Sequence, residues 1–92
     1  MRIFIFSKHV LLRMVERGIS RDEILAVVYE KVAVVIYPST QDELVNIYAG
    51  CVHQKYIVVI VNRLTNILIT VRQMRKSEKQ LFEEFINEKQ ED

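Results

Sequence analysis

The sequence is short of the residues that staple, ligate or punctuate. Its one cysteine, Cys51, cannot form a disulfide within the chain and suits a reducing compartment. The two glycines, Gly18 and Gly50, stand alone, which excludes a phosphate-cradling glycine loop. With one cysteine and with His9 and His53 far apart, no zinc-ligand spacing exists, so no metal and no cofactor are expected. No apolar run approaches the roughly 20 residues needed to span a bilayer. The opening MRIFIF has neither the long apolar core nor the small-residue cleavage site of a signal peptide. These absences point to a cytoplasmic protein with no membrane partner.

Acidic residues are also missing where they would matter most. None occurs between Leu44 and Ser77, a stretch holding His53, Lys55, Arg63, Arg72, Arg75 and Lys76. From Glu78 to Asp92 six acidic residues then face two lysines. Although net charge is only +1, this distribution describes a basic sheet region followed by an acidic helix. It reads either as an anion site with its own counter-charge or as the solvated face of an ordinary domain. At 92 residues, 50% hydrophobic and 27% charged, the chain makes one globular domain spanning 1–92.

What is present is clearest from Ser7 to Ser20, SKHVLLRMVERGIS. Ser7 can cap a helix by accepting from an orphan N–H, and Gly18 can end it in the left-handed conformation. Ser20 with Glu23 three residues on is a capping box for a second helix. The spacing predicts a first strand over Arg2–Phe6 and a helix over Lys8–Arg17. That helix should bury Leu11, Met14 and Val15, flanked by Val10, with His9, Arg13 and Glu16 opposite. A second helix over Arg21–Glu30 carries an apolar stripe of Ile24, Leu25, Val27 and Val28.

Strands are then expected over Val32–Tyr37, closed by Pro38, and over Leu44–Ala49, Tyr56–Asn62 and Ile67–Gln73. The connection between the middle pair falls around Gly50–Lys55, and a short turn lies at Arg63–Asn66. Ser77 with Gln80 is a further capping box, opening a helix that buries Leu81, Phe82, Phe85 and Ile86 and frays in its last charged residues. The order of one strand, two helices, three or four strands and a helix is an α+β domain. It implies an antiparallel meander covered by helices on one face.

Ser7-Lys8-His9 with Arg13, then Glu16-Arg17-Gly18-Ile19-Ser20, resembles the start of the domain-of-unknown-function 4258 family. The final strand Ile67-Leu68-Ile69-Thr70-Val71-Arg72 matches that family's valine-rich ending, so the resemblance covers about Phe4 to Arg72. The family looks related to the BrnT and RelE groups of bacterial toxins, small α+β ribonucleases paired with an antitoxin. The resemblance therefore implies a metal-independent, RNA-cleaving toxin or a domain descended from one.

Metal-free RNA cleavage needs a base for the 2′-hydroxyl proton, an acid for the leaving oxygen and cations at phosphate. His9 is the candidate acid/base, because imidazole titrates near neutrality. Arg13, one turn on, and Arg72 are candidate phosphate holders completing the catalytic set. Arg75 and Lys76, just before the last helix, add phosphate-binding capacity. Glu16 can hold Arg13 from three residues away, and Arg17 complements the helix C-terminal dipole, so both read as supporting residues.

Blander readings stand beside these. His9 reads equally as packed beside the sheet or paired with a carboxylate such as Glu16, and Arg72 and Arg75 as an ion-paired edge with Glu78 or helix two. Arg63 reads as a solvated charge, and Tyr48 and Tyr56 as half-buried sheet residues. Two functions follow. One is a toxin-like RNA-binding domain acting as an endoribonuclease, with RNA and an antitoxin as partners. The other is a non-catalytic interaction module, partner-bound or homodimeric, whose apolar strands leave an edge to be covered.

Overall fold

A computed structural model describes residues 2–90, with side chains to residue 88. Strand β1 (Ile5–Phe6) leads straight into helix α1 (Lys8–Arg17), and a tight turn joins α1 to α2 (Arg21–Val28). Strands β2 (Val34–Pro38), β3 (Val45–Val52), β4 (Lys55–Asn62) and β5 (Ile67–Gln73) follow, then helix α3 (Lys76–Gln90). The strands form one sheet in the order β1-β5-β4-β3-β2. Strands β2 to β5 are the antiparallel meander, whereas β1 pairs parallel with Ile67 and Leu68 of β5. The α+β class stands, with a mixed sheet.

Local chemistry accounts for the helix ends. The Ser7 hydroxyl accepts from the Val10 N–H, and Gly18 (φ 62°) closes α1 with its neighbour's N–H, that of Ile19, bonded back to the Met14 carbonyl. Ser20 and Glu23 form the full reciprocal box. Helix α2 stops at Val28, two residues early, because Glu30 turns left-handed (φ 54°) and Lys31 N–H reaches the Ala26 carbonyl. The box at Ser77 and Gln80 does not form. Helix α3 begins at Lys76, two residues sooner than a Ser77 cap would start it, and the Glu78 carboxylate accepts from the Arg75 N–H at 2.8 Å instead. The expected fraying at residues 91 and 92 lies outside the described residues.

Strand alternation sorts the core. Gly50, Ile57, Val59 and Val71 share the face that packs on α1 and α2. Leu68 joins them although it lies three residues from Val71. A register shift between Ile60 and Val61 inserts one extra residue, Ile69, into β5. Ala49, Tyr56 and Val58 point the other way, towards α3, where the Tyr56 and Phe82 rings meet edge to face at 6.1 Å. Helices therefore cover both faces, which corrects the one-face arrangement. Helix α3 reaches the second face because it leaves directly from the end of β5, where Arg72 on that face grips Glu78 in the first turn of α3.

Four further expectations are corrected. Strand β1 is two residues long, since α1 takes over the flank of β5. Ser7 Oγ donates to the Leu68 carbonyl and Arg17 Nη1 to the Val71 carbonyl, so side chains serve where strand pairing stops. Lying at the sheet's flank, α1 buries only a narrow strip headed by Val10, leaving Leu11 45% and Val15 85% exposed. On α3, Phe82 is buried but Leu81 is 67% and Phe85 42% exposed. Pro38 is the last residue of β2 and does not interrupt it; β2 is an edge strand, where a missing N–H is tolerated.

Gly50 is not a turn residue. Strand β3 runs on through it to Val52, and His53 and Gln54 make a two-residue turn instead. The flexible residue is needed for packing, because a Cβ there would lie 3.1 Å from Val27 Cγ2 and 3.3 Å from Val34 Cγ2.

Candidate functional site

The end of β5 carries Arg72 and Gln73 on opposite faces, between the end of α1 and the start of α3. Arg72 turns to the α3 face, where Nη1 and Nη2 grip the Glu78 carboxylate at 2.6 and 2.8 Å. This fork is about three-quarters buried. The Arg72 hydrogen bonds, with that from the Arg75 N–H, hold the Glu78 carboxyl down at about 2, while Glu78 raises Arg72 in turn. Gln73 turns to the other face and donates from Nε2 to the Arg17 carbonyl at 3.3 Å.

Glu16, Arg17, Arg72, Gln73 and Arg75 together line an open hollow of about 450 Å³. Arg72 is neutralised by Glu78, so Arg17 and Arg75 supply its uncommitted charge. Arg17 thus forms a wall of the hollow as well as complementing the helix dipole. Arg75 makes no ion pair among the described residues.

The outer face of α1 holds a connected string. Arg13 Nη1 bonds Glu16 Oε1 at 2.7 Å, the support expected of Glu16, and Arg13 Nε donates to His9 Nε2 at 3.3 Å. His9 itself is exposed and lies outside the hollow. Eight residues separate it from Arg17, about 12 Å along the helix. The structure therefore brings Arg72 together with Arg75, Arg17 and Glu16 but leaves His9 at the far end of α1. Lys76 is exposed on the first turn of α3 and is not part of the lining.

A second hollow of about 430 Å³ adjoins the first across Gln73, bounded by the β3–β4 turn and by Lys79. Lys79 lies over the Tyr56 ring at 4.4 Å. The Tyr56 hydroxyl donates to Glu83 at 2.7 Å, which pushes its pKa up to about 12 and makes it a poor acid near neutrality. Lys55 is committed to Glu23 at 3.1 Å and to the Gly18 carbonyl at 2.7 Å. Tyr48 is buried, its hydroxyl accepting from Arg2, and Arg63 is more than a solvated charge, since it clamps the Glu43 carbonyl at 2.6 Å. Gln73 and Lys79 went unmarked in the sequence. Neither is part of a motif, and only the meeting of three elements gives them a shared wall.

The Arg72–Glu78 pair makes a testable demand. A carboxyl lowered from 4.5 to about 2 stabilises the fold above its unfolded value, and that stabilisation is lost as pH falls through about 2. The shift sets a ceiling of about 3 kcal/mol, reduced by solvent screening at this partly exposed site to about 1–2. Glu78→Gln is therefore expected to lose about 1–2 kcal/mol at pH 7 in denaturant unfolding. The deficit should shrink below pH 4.5 and close near pH 2; a deficit independent of pH would show that the charge of Glu78 is not what matters.

Among the described residues no helix is long and apolar enough to cross a membrane, and no group of three or more His, Cys, Asp or Glu is placed to hold a metal. No protein-family model, curated protein or solved structure matches the chain.

Proposed function

We propose that the chain is a toxin-like RNA-binding domain that cleaves RNA without a metal. The observation that carries the reading is the convergence of Arg17, Arg72 and Arg75 on one hollow at the end of β5. Neither Arg17 nor Arg75 is in an ion pair among the described residues, and although Arg17 keeps Nη1 on the Val71 carbonyl, the remaining N–H groups of the two guanidiniums suit a phosphate. Arg72 keeps the hollow in shape by tying α3 to the sheet, and Lys76 adds charge beside it.

From the hollow the RNA backbone runs along α1 towards His9. A phosphate oxygen reaching Arg13 competes with His9 for its Nε–H and frees the imidazole lone pair. His9 Nε2 then takes the 2′-hydroxyl proton. The 2′ oxygen bonds to phosphorus, the bond to the 5′ oxygen breaks, and that oxygen takes a proton from solvent at this exposed face. Glu16 holds Arg13 within reach.

The test is labelled RNA incubated with the protein in chelator, with binding followed as salt is varied. Shortened products ending in cyclic phosphate are expected. Arg75→Gln should weaken binding and flatten the salt slope by about 0.7, the contribution of one phosphate contact on a single strand. RNA that neither binds at low salt nor shortens would overturn the proposal.

A second reading is favoured by one observation. An apolar groove of about 360 Å³ runs between α3 and the sheet, lined mainly by Val35, Tyr37, Val58, Leu81 and Phe82, beside the free edge of β2. In this reading the domain is an interaction module, covered by a second copy or by an antitoxin. Light scattering decides for self-association, since a monomer at high concentration would remove the homodimer.

A further inference from the structure

The turn between β3 and β4 is built against conformational preference. His53 (φ 50°) and Gln54 (φ 68°) both occupy the left-handed region, the geometry of a type I′ turn. Asn-Gly meets that demand best, whereas an ordinary side chain there costs about 1–2 kcal/mol per residue. The strained pair stands at a particular place. Its side chains wall the second hollow, with Lys79 and Gln73, and among the described residues no carboxylate lines that hollow. Gln73 is shared with the arginine hollow. Two binding-sized depressions thus touch across one amide side chain, each with a cation that no ion pair among the described residues neutralises: Arg75 in one, Lys79 in the other.

We propose that the two hollows form one continuous site for successive nucleotides of single-stranded RNA, with Gln54 and Gln73 contacting base edges and Lys79 holding the second phosphate. This rests on the RNA-binding reading and extends it to a substrate class. Side-chain amides offer a donor and an acceptor on one planar group, which matches the edge of an unpaired base. In a duplex those edges are already paired, and A-form helices are read through their 2′-hydroxyls and phosphates instead. The Tyr56 ring under Lys79 fixes the cation at the rim and adds an aromatic wall.

Fluorescence anisotropy with labelled RNA of one, two and four nucleotides, and with a duplex long enough to stay fully paired as competitor, tests the assignment. Affinity is expected to rise sharply from one nucleotide to two, and the duplex should compete poorly. The double variant His53→Asn/Gln54→Gly should melt at higher temperature, having lost the strain, yet bind the tetranucleotide roughly fivefold to tenfold more weakly, the loss of one or two hydrogen bonds. Lys79→Gln should flatten the salt slope by about 0.7. If both variants bind like the parent while Arg75→Gln still weakens binding, the second hollow is not part of the site and the RNA-binding reading survives. Equal competition by duplex overturns the single-strand assignment. No RNA affinity in the parent protein removes both readings together.

Discussion

Replacing His9 with alanine is expected to slow RNA cleavage by about 10²–10⁴-fold, the usual contribution of a positioned general base. The melting temperature should stay where it is. Helix α1 is held by the Ser7 cap, by buried Val10 and by the bond from Arg17 to the Val71 carbonyl, and none of these involves His9. The imidazole is exposed, and its hydrogen bond is with Arg13. Loss of activity with unchanged melting therefore separates chemistry from folding. RNA affinity should also persist, because the hollow carrying Arg17 and Arg75 lies at the other end of the helix. A His9→Ala protein that cleaves at the parental rate removes the imidazole from the mechanism. Arg13→Met should then be compared, since it loses the group that holds His9 in place as well as a phosphate donor.

Gly50→Val is expected to destabilise the fold by about 3 kcal/mol, the upper end for overpacking a close contact. Already the first added carbon meets Val27 at 3.1 Å and Val34 at 3.3 Å, and Val27 is wholly buried. For a domain of this size the total is about 5–14 kcal/mol, so the loss is a large fraction of it. Chemical denaturation measures it directly. A double-mutant cycle identifies the cause: Val27→Ala, destabilising alone, should recover part of the deficit in the Gly50→Ala background. Simple additivity would place the fault elsewhere than in this α2–β3 contact.

Gly50 also shows where sequence reasoning loses its grip. A glycine near the middle of a β-rich region reads as a turn, whereas the turn falls on His53 and Gln54, neither of them the glycine or asparagine that such a turn favours. Nothing local distinguishes a glycine needed for flexibility from one needed because a helix passes overhead. The same limit explains α1 and α3. Their apolar residues repeat at helical spacing, which identifies a helix but not how deeply it sinks. Val15 is 85% exposed because α1 flanks β5 and does not cross the sheet. Arg72 and His9 stand a similar case, as strand alternation and helix length put them on separate surfaces.

The chain by itself determined its α+β order and the span of α1 and β5 to the residue. It also determined the Ser7 cap, the Gly18 stop and the Ser20–Glu23 box. All of these rest on interactions within a few residues, so neighbouring letters suffice to specify them. Only the tertiary structure decided the parallel pairing of β1, the helix on each face, the Arg72–Glu78 fork and the two hollows joined at Gln73. Those depend on contacts between segments far apart in the chain, where burial and close approach, not local preference, choose the partner.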